Sequence, residues 1–236
     1  MKTSAAYSPA HAFVDTFVAP ADLFSRSSAS LHWAKWCAVM IISAILLSTY
    51  YFFQSMPEEL GPTWHLKGLG QLLMTHYPRL FANTPIAGLS PGLYIGLCKV
   101  LNILLLVAVL GAAYWIMERT TQRSGRFNLL QWCKIVMVCQ LPWLANYCGL
   151  VLLTFSAADT ALPFSMLDYA SLNHLFFHLE PHSSWYPLFH VMNLFHFWSI
   201  GLTITAVNRC LEMSRAKSVI FTLLPYTILI GLWAQQ

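Results

Sequence analysis

Five long apolar segments occupy most of this chain, and they restrict its fold more than any other feature. The hydrocarbon core of a bilayer is about 30 Å thick and needs roughly 20 apolar residues per helix. Charged residues make up only 9% of the 236 residues, against about 25% in a soluble domain, so most of the surface must face lipid. The sequence therefore predicts an all-α, polytopic membrane helical bundle and argues against a soluble enzyme. The predicted spans are Trp36–Phe53, Leu93–Met117, Leu129–Phe155, Leu188–Val207 and Ser218–Trp233.

Prolines interrupt two of these spans. Pro142 should kink the long third span, because proline removes a backbone hydrogen bond and clashes with the preceding turn. Pro225 lies inside the short fifth span. Residues Met1–Ser30 lack the continuous apolar region of a signal peptide, so we expect the first span to remain as an anchor. The predicted organisation is a cytoplasmic segment over residues 1–35 and a single five-span membrane domain over residues 36–233.

Basic residues are concentrated in alternate connections between the spans. Glu118–Arg126 carries three arginines against one acid, and Arg209–Lys217 carries three basic residues against one acid. The loop Ser156–Pro187 holds three acids and neither lysine nor arginine. The N-terminal region is basic as well, with Lys2, Arg26 and Lys35. By the positive-inside rule, the N-terminus is predicted to lie inside and the C-terminus outside.

Two further stretches have the residue spacing of surface helices. Trp64–Phe81 repeats leucine at three- and four-residue steps, interrupted by polar residues, which is typical of a helix lying on a membrane surface. Near the N-terminus, Phe13 pairs with Phe17 at a spacing of four, as Val14 does with Val18, before Pro20 ends the pattern. We expect this piece on the cytoplasmic surface. Ordinary packing of both stretches against the bundle is the alternative.

The motif Gly88-Leu89-Ser90-Pro91-Gly92 matches GxSxG, the pattern of a nucleophile elbow. That elbow uses the backbone N–H of the residue after the serine, and here that residue is Pro91, which has none. We interpret the motif as turn chemistry, with Pro91 at the start of a helix. An intramembrane serine protease would need Ser90 to meet His190 or His196, and no further element of a catalytic triad is visible.

Histidines form the most informative polar group. Five of the nine are close together in sequence: His174, His178, His182, His190 and His196. On a helix, His174 and His178 would share one face, a spacing that suits a divalent metal or a haem. A pH-sensing role is a second interpretation. Interfacial packing is favoured over both, because no HExxH, CxxCH or thiolate partner is present. The six cysteines contain no CxxC and are interpreted as small buried hydrophobic residues. No catalytic, cofactor-binding or metal-binding residue is therefore assigned.

Polar residues inside the predicted spans are candidates for function by default. They are Lys99, Asn102, Lys134, Gln140, Asn146, Asn193 and Asn208. We expect the two lysines to extend to an interface and the amides to bridge helices. No acid lies in the middle of a span, which weakens an ion-coupled transport hypothesis. A cavity open to one leaflet and faced by Gln140 and Asn146 would favour a transporter or lipid-handling protein.

The segment from His190 to Leu202 contains an asparagine followed by Leu-Phe, then Trp198, then a run of small residues. In this order it resembles the fourth span of the Yip family (Ypt-interacting proteins) in its bacterial branch. The N-terminal Phe17–Phe24 is similar to the opening of that family, and the basic linker Arg209–Ala216 with the span around Pro225 is similar to its ending. The long histidine-rich loop before the fourth span departs from the family pattern.

The resemblance implies a membrane helical bundle without known enzymatic chemistry, and it supplies no catalytic residues to carry over. Eukaryotic members bind Rab GTPases in vesicle traffic, whereas the role of most bacterial members is unassigned. We therefore predict a non-enzymatic protein of the bacterial inner membrane, surrounded by lipid, that acts as a scaffold or accessory subunit beside other membrane proteins. Small residues such as Gly201 and Ala206 would allow close approach of partner helices. The alternatives are a metal- or haem-binding subunit using His174 and His178, and a transporter or lipid-handling protein.

Overall fold

The computed structural model describes residues 9–27, 33–55, 90–121, 125–157, 162, 164–180 and 182–233, and in these ranges the protein is an all-α helical bundle. Its α-helices are α1 (Pro9–Val18), α2 (Pro20–Ser27), α3 (Ala34–Gln54), α4 (Pro91–Thr121), α5 (Leu129–Cys139), α6 (Pro142–Ser156), α7 (Tyr186–Val191), α8 (Leu194–Cys210) and α9 (Arg215–Trp233). A 3₁₀ helix at Phe164–Asp168 and a π-helical turn at Asn173–Phe177 lie between α6 and α7. Trp64–Phe81 lies outside the described residues.

The centre of the bundle is formed by α3, α4, α5 and α6. Three helical segments of the described chain are long and apolar enough to cross a membrane: Ala34–Gln54, Gly92–Thr121 and Leu129–Ser156. Their inward side chains form one core, in which Ile41, Leu110 and Trp132 are fully buried. The opposite faces of these helices carry exposed leucines and valines, as expected for surfaces that contact lipid. The predicted count of five spans stays a prediction.

Helices α4 and α5 pack closely because α4 has no side chain at Gly111. A Cβ atom at that position would lie 2.7 Å from the Cys133 Sγ and 3.2 Å from the Cys133 backbone. We expect Gly111→Ala to lower the free energy of unfolding by about 1–3 kcal/mol, as overpacking of a close contact does. Unfolding in mixed detergent micelles measures the change.

Gly201 on α8 provides the matched control for this prediction, because a Cβ atom there would meet nothing within 4 Å. Gly201→Ala should change the free energy of unfolding by no more than about 0.5 kcal/mol. Equal losses for the two variants would show that the approach of α4 and α5 does not depend on Gly111.

The interruption predicted at Pro142 is confirmed. α5 ends at Cys139, Gln140 and Leu141 form a turn, and α6 begins at Pro142. Proline is well suited to this first helical position, because the N–H that it lacks would have no partner there. The two helices together still cover the length of the predicted third span.

The predicted fourth span, Leu188–Val207, differs from the observed structure. The helix is interrupted at Met192 and Asn193, where the backbone is extended. The reason is long-range pairing: the Leu172 N–H donates to the Met192 carbonyl at 2.7 Å, and the Leu194 N–H donates to the Ala170 carbonyl at 3.0 Å. α8 has 17 residues, or about 26 Å at 1.5 Å per residue. Its first turn contacts Trp143, near the middle of the Leu129–Ser156 segment.

Glu118 is a fully buried carboxylate at the end of α4 that joins α4 to α5. Its Oε2 accepts the Trp132 indole N–H at 2.7 Å, and its Oε1 accepts the backbone N–H groups of Arg126 at 2.6 Å and Phe127 at 3.2 Å. Aromatic rings surround it, with Trp132 5.6 Å from Tyr114 and 5.7 Å from Phe127 between ring centroids. In the sequence this acid belongs to a basic connection, and its burial could not be predicted from its neighbours.

The two basic connections lie at the same end of the bundle. The Arg126 guanidinium donates to the Cys210 carbonyl at 3.1 Å and to Glu212 at 2.9 Å, and so links them directly. Two predicted cytoplasmic connections therefore share one side of the bundle, as positive-inside orientation requires. The orientation itself stays a prediction.

The predicted fifth span lies within α9, which continues through Pro225. Pro225 has no N–H to donate to the carbonyl one turn earlier. Close to this weak point the Tyr114 hydroxyl donates to the Thr222 carbonyl at 3.1 Å and attaches α9 to α4.

The N-terminal helices pack against the bundle on one face. Pro20 separates α1 from α2, as the sequence predicts. Phe17 meets Trp198 of α8 in a T-shaped contact with 4.8 Å between ring centroids, and Leu23 is fully buried. Val14 and Val18 are exposed on the other face. The paired spacing of the phenylalanines and valines therefore marks one helix with a packed side and an exposed apolar side.

Candidate functional site

A cavity of about 530 Å³ lies between α4, α6 and the break that precedes α8. Its lining contains a polar and an apolar set of residues, which we call the polar wall and the apolar wall. The polar wall contains Lys99, Asn102, Asp168, His190, Asn193 and His196. The apolar wall contains Ile103, Leu105, Leu106, Val109, Trp143, Tyr147 and Val191. A cavity with a charged wall beside an aliphatic wall suits a ligand that is itself amphiphilic.

Lys99 and Asp168 form the charged centre of this cavity. The Lys99 Nζ donates to the Asp168 Oδ1 at 2.8 Å, and the two side chains are 24% and 32% exposed. That Lys99 extends to an interface stays a prediction. A carboxylate at the end of the 3₁₀ helix reaches back to the ammonium group, and this pairing replaces the water that Lys99 would otherwise seek.

The other oxygen of Asp168 faces a histidine. The Asp168 Oδ2 lies 3.6 Å from the His190 Nε2, and the His190 ring stacks on Tyr186 with 5.0 Å between ring centroids. Burial alone would raise the pKa of Asp168. The charge and hydrogen bond of Lys99, together with His190, outweigh burial and hold the pKa of this carboxyl below its usual value of 3.8. Asp168 is therefore ionised at neutral pH.

Asn193 and His196 shape the inner end of the cavity by capping α8. The Asn193 side chain accepts the Phe195 N–H at 2.9 Å, and the His196 Nδ1 accepts the Asn193 N–H at 3.2 Å. This is a capping box with histidine in the third position. Because Nδ1 is an acceptor, the neutral ring carries its proton on Nε2. The helix therefore begins inside the bundle with its first N–H groups satisfied.

The apolar wall reaches the lipid-facing surface. Leu105, Val109 and Val191 line the cavity and also have exposed side chains. The cavity is therefore open on the side where these three apolar residues lie.

Gln140 and Asn146 do not line this cavity, so the arrangement of these two amides that would favour a transporter is not formed. Gln140 is buried, with its amide directed at the Val136 carbonyl at 3.4 Å, and the side-chain oxygen of Asn146 is buried without a partner among the described residues. The prediction that amides bridge helices also fails for Asn193 and Asn208, since both bond locally. The chain turns at Pro142 as predicted, but the polar wall is formed by residues of α4, the Asp168 loop and the break before α8.

The structure does not assemble the histidines into a metal site. His178 lies past the end of the π-helical turn in a left-handed conformation with φ 49°, so no regular helix aligns it with His174. His182 contacts Glu180 at 3.0 Å on the surface, where both side chains are more than 70% exposed. Within the described ranges, no group of three or more His, Cys, Asp or Glu side chains could hold a metal ion. The metal or haem hypothesis gains no support.

The GxSxG motif lies at the start of α4, which begins at Pro91 as the sequence predicts. Gly88 and Leu89 are outside the described residues. The Ser90 hydroxyl is buried, and no residue in the described ranges gives it a hydrogen bond. His196 instead caps α8. No serine–histidine pair is therefore formed in this part of the chain.

Comparison with known proteins agrees with this architecture. The family model of the Yip1 domain matches residues 14–235. The chain belongs to the Yip1 domain family. No curated protein and no solved structure matches it. The match to the Yip1 domain confirms the resemblance identified at His190–Leu202 and extends it across the long loop that holds Asp168. Together with its apolar helices, it identifies this Yip1-domain protein as an integral membrane protein.

Proposed function

We propose that this Yip1-domain protein is a non-enzymatic lipid-handling protein of the bacterial inner membrane that holds a lipid headgroup in the cavity at Lys99 and Asp168. The observation that carries the proposal is the pairing of an ionised polar wall with an apolar wall that reaches the lipid-facing surface. Charged groups at membrane depth are costly and are found facing cavities or partners. A lipid entering sideways would place its headgroup on the polar wall and its chains beside Leu105 and Val109.

Photo-crosslinking tests this proposal with two leucines of α4 that are one helical turn apart. Leu105 lines the cavity and is 59% exposed, whereas Leu101 is 67% exposed and is not part of the cavity wall. The wild-type protein, Leu105→Trp and Leu101→Trp are reconstituted in vesicles that contain a phospholipid with a diazirine near its headgroup. Peptides from α4 and α7 are then examined for crosslinks by mass spectrometry.

We expect Leu105→Trp to reduce crosslinking at Asn102 and His190 of the polar wall by about tenfold, because an indole at the rim of the cavity costs bound lipid roughly 1.4 kcal/mol. Leu101→Trp should leave it unchanged. If the two variants crosslink equally, no lipid occupies the cavity and the proposal is wrong.

A scaffold or accessory role is the second candidate, and the outer face of α8 favours it. Gly201 is exposed there and nothing approaches it, with the exposed rings of Phe197 and Trp198 beside it. A partner helix could approach closely at this glycine. Ala206 does not contribute to that face, because it is fully buried. Native mass spectrometry of gently solubilised protein tests this role, and a monomer without co-purifying protein would contradict it.

A further inference from the structure

The lysine and the carboxylate of the cavity balance each other. Lys99 contributes one positive charge and Asp168 one negative charge, and besides the two histidines these are the charged residues of the described cavity wall. A ligand with a net negative charge would gain from Lys99 but would be repelled by Asp168 a few ångströms away. A ligand that carries one charge of each sign could satisfy both residues without leaving a buried charge unpaired.

The hydrogen-bonding groups of the wall also favour such a ligand. The Lys99 ammonium has three donors, and one is used by the Asp168 Oδ1. The remaining donors and the Asn102 amide, which is exposed in the cavity, are suited to phosphate oxygens. The Asp168 Oδ2 lies 3.6 Å from the His190 Nε2, beyond hydrogen-bond distance, so it can accept an N–H from a ligand.

We infer that the cavity selects a phosphoethanolamine headgroup, with its phosphate at Lys99 and Asn102 and its primary ammonium at Asp168. This inference rests on the proposed lipid-handling function and specifies the class of lipid. The aliphatic wall at Leu105 and Val109 assigns the group to a diacyl lipid rather than to a soluble phosphoethanolamine compound.

A choline headgroup fits this wall less well. Its quaternary ammonium has no N–H for the Asp168 Oδ2, and proteins usually hold such groups between free aromatic faces. Trp143 is in T-shaped contact with His196, with 4.7 Å between ring centroids, so this ring is already covered in part. Phosphatidylglycerol lacks the ammonium altogether and brings the net negative charge that Asp168 disfavours.

Native mass spectrometry of the delipidated full-length protein tests the inference. The protein is titrated separately with dioleoyl-phosphatidylethanolamine, -phosphatidylglycerol and -phosphatidylcholine. We expect the wild type to bind the ethanolamine lipid about tenfold more tightly than either of the others, a difference of about 1.4 kcal/mol. Soluble glycerophosphoethanolamine at equal concentration should not displace it, and displacement would overturn the assignment to a lipid.

Variants of the charged pair separate this inference from the proposed function. In Asp168→Asn the ratio of ethanolamine-lipid to glycerol-lipid affinity should fall below one, because Lys99 is left without its counter-charge and favours the anionic lipid. In the double variant Lys99→Met/Asp168→Asn, which leaves no unpaired charge, the ratio should fall to about one. Each ratio compares two lipids on the same folded protein, so a partial loss of folding does not affect it. Glu180→Gln, on an exposed acid of the same loop, should keep the wild-type ratio.

Three results would overturn the inference. A wild-type preference for phosphatidylglycerol would show that Lys99 selects an anion. Equal affinity of the wild type for all three lipids, with binding still lost in Leu105→Trp, would remove the headgroup selectivity and leave the lipid site intact. Lipid binding that Leu105→Trp does not change would remove the proposed function together with the inference.

Discussion

Replacing Glu118 with alanine should lower the free energy of unfolding by about 3–5 kcal/mol, the range for leaving a buried polar network without its charged member. Glu118 is fully buried and accepts three hydrogen bonds, from Trp132, Arg126 and Phe127. Alanine would leave these three donors without an acceptor and create a cavity under the aromatic rings. Unfolding of the purified protein in mixed detergent micelles, followed by tryptophan fluorescence, measures the loss.

Glu212→Gln is the matched control for this experiment. Glu212 is an acid at the same end of the bundle, and it also pairs with Arg126, but its side chain is 75% exposed. Exposed ion pairs contribute about 0–1 kcal/mol, so this variant should stay close to the wild type. Glu118→Gln keeps one acceptor oxygen, so its loss in free energy of unfolding should lie between the losses of Glu118→Ala and Glu212→Gln. If Glu118→Ala costs no more than Glu212→Gln, the buried carboxylate does not hold the α4–α5 connection.

Removing either charge of the Lys99–Asp168 pair should have the second largest effect on the stability of the protein. We expect Lys99→Met and Asp168→Asn each to lower the free energy of unfolding by about 2 kcal/mol, less than for a fully buried pair because both side chains are partly exposed. The double variant should lose less than the sum of the two, since it leaves no unpaired charge. Strict additivity of the two losses would show that the ion pair does not couple α4 to the loop.

The same pair gives stability a defined pH dependence. The pKa of Asp168 is lower in the folded protein than its usual value of 3.8, so its ionised form is favoured by folding. Its contribution is therefore fully present above about pH 4 and is lost as the pH falls through the folded pKa. The difference in stability between the wild type and Asp168→Asn should be present at pH 7 and shrink near pH 3. A difference that grows on acidification would contradict the assignment of Lys99 as the partner.

Features that depend on neighbouring residues could be predicted from the sequence. Three of the predicted spans, the break at Pro142 and the helix start at Pro91 all follow from local chemistry, and each is seen in the described structure. The break before α8 is different, because neither proline nor glycine stands at Met192 or Asn193. It depends on backbone pairing with residues 170–172. The spacing of Asn193 and His196 is the one local signal, since it matches a capping box.

The candidate site could not be predicted, because its charged residues meet only through the fold. Lys99 and Asp168 are 69 positions apart, and the loop that carries Asp168 was assigned to the surface. Two signals were available in the sequence. One is a lysine inside an apolar span, and the other is an acid in a loop that carries only negative charges. The burial of Glu118 could not be predicted for the same reason. The charged residues that follow it in the sequence are arginines, and its partner Trp132 belongs to the next helix.

The extended backbone at Met192 and Asn193 has a consequence for the physical state of the cavity. Irregular chain is tolerated at membrane depth only where protein covers it or where it lines a water-filled space. The Leu172 and Leu194 amides are satisfied by pairing, yet Asn193 and the neighbouring Val191 line the open cavity. The cavity should therefore be hydrated when no lipid is bound. A headgroup that enters would meet water beside the Lys99–Asp168 wall, and this lowers the dehydration cost that normally keeps headgroups at the bilayer surface.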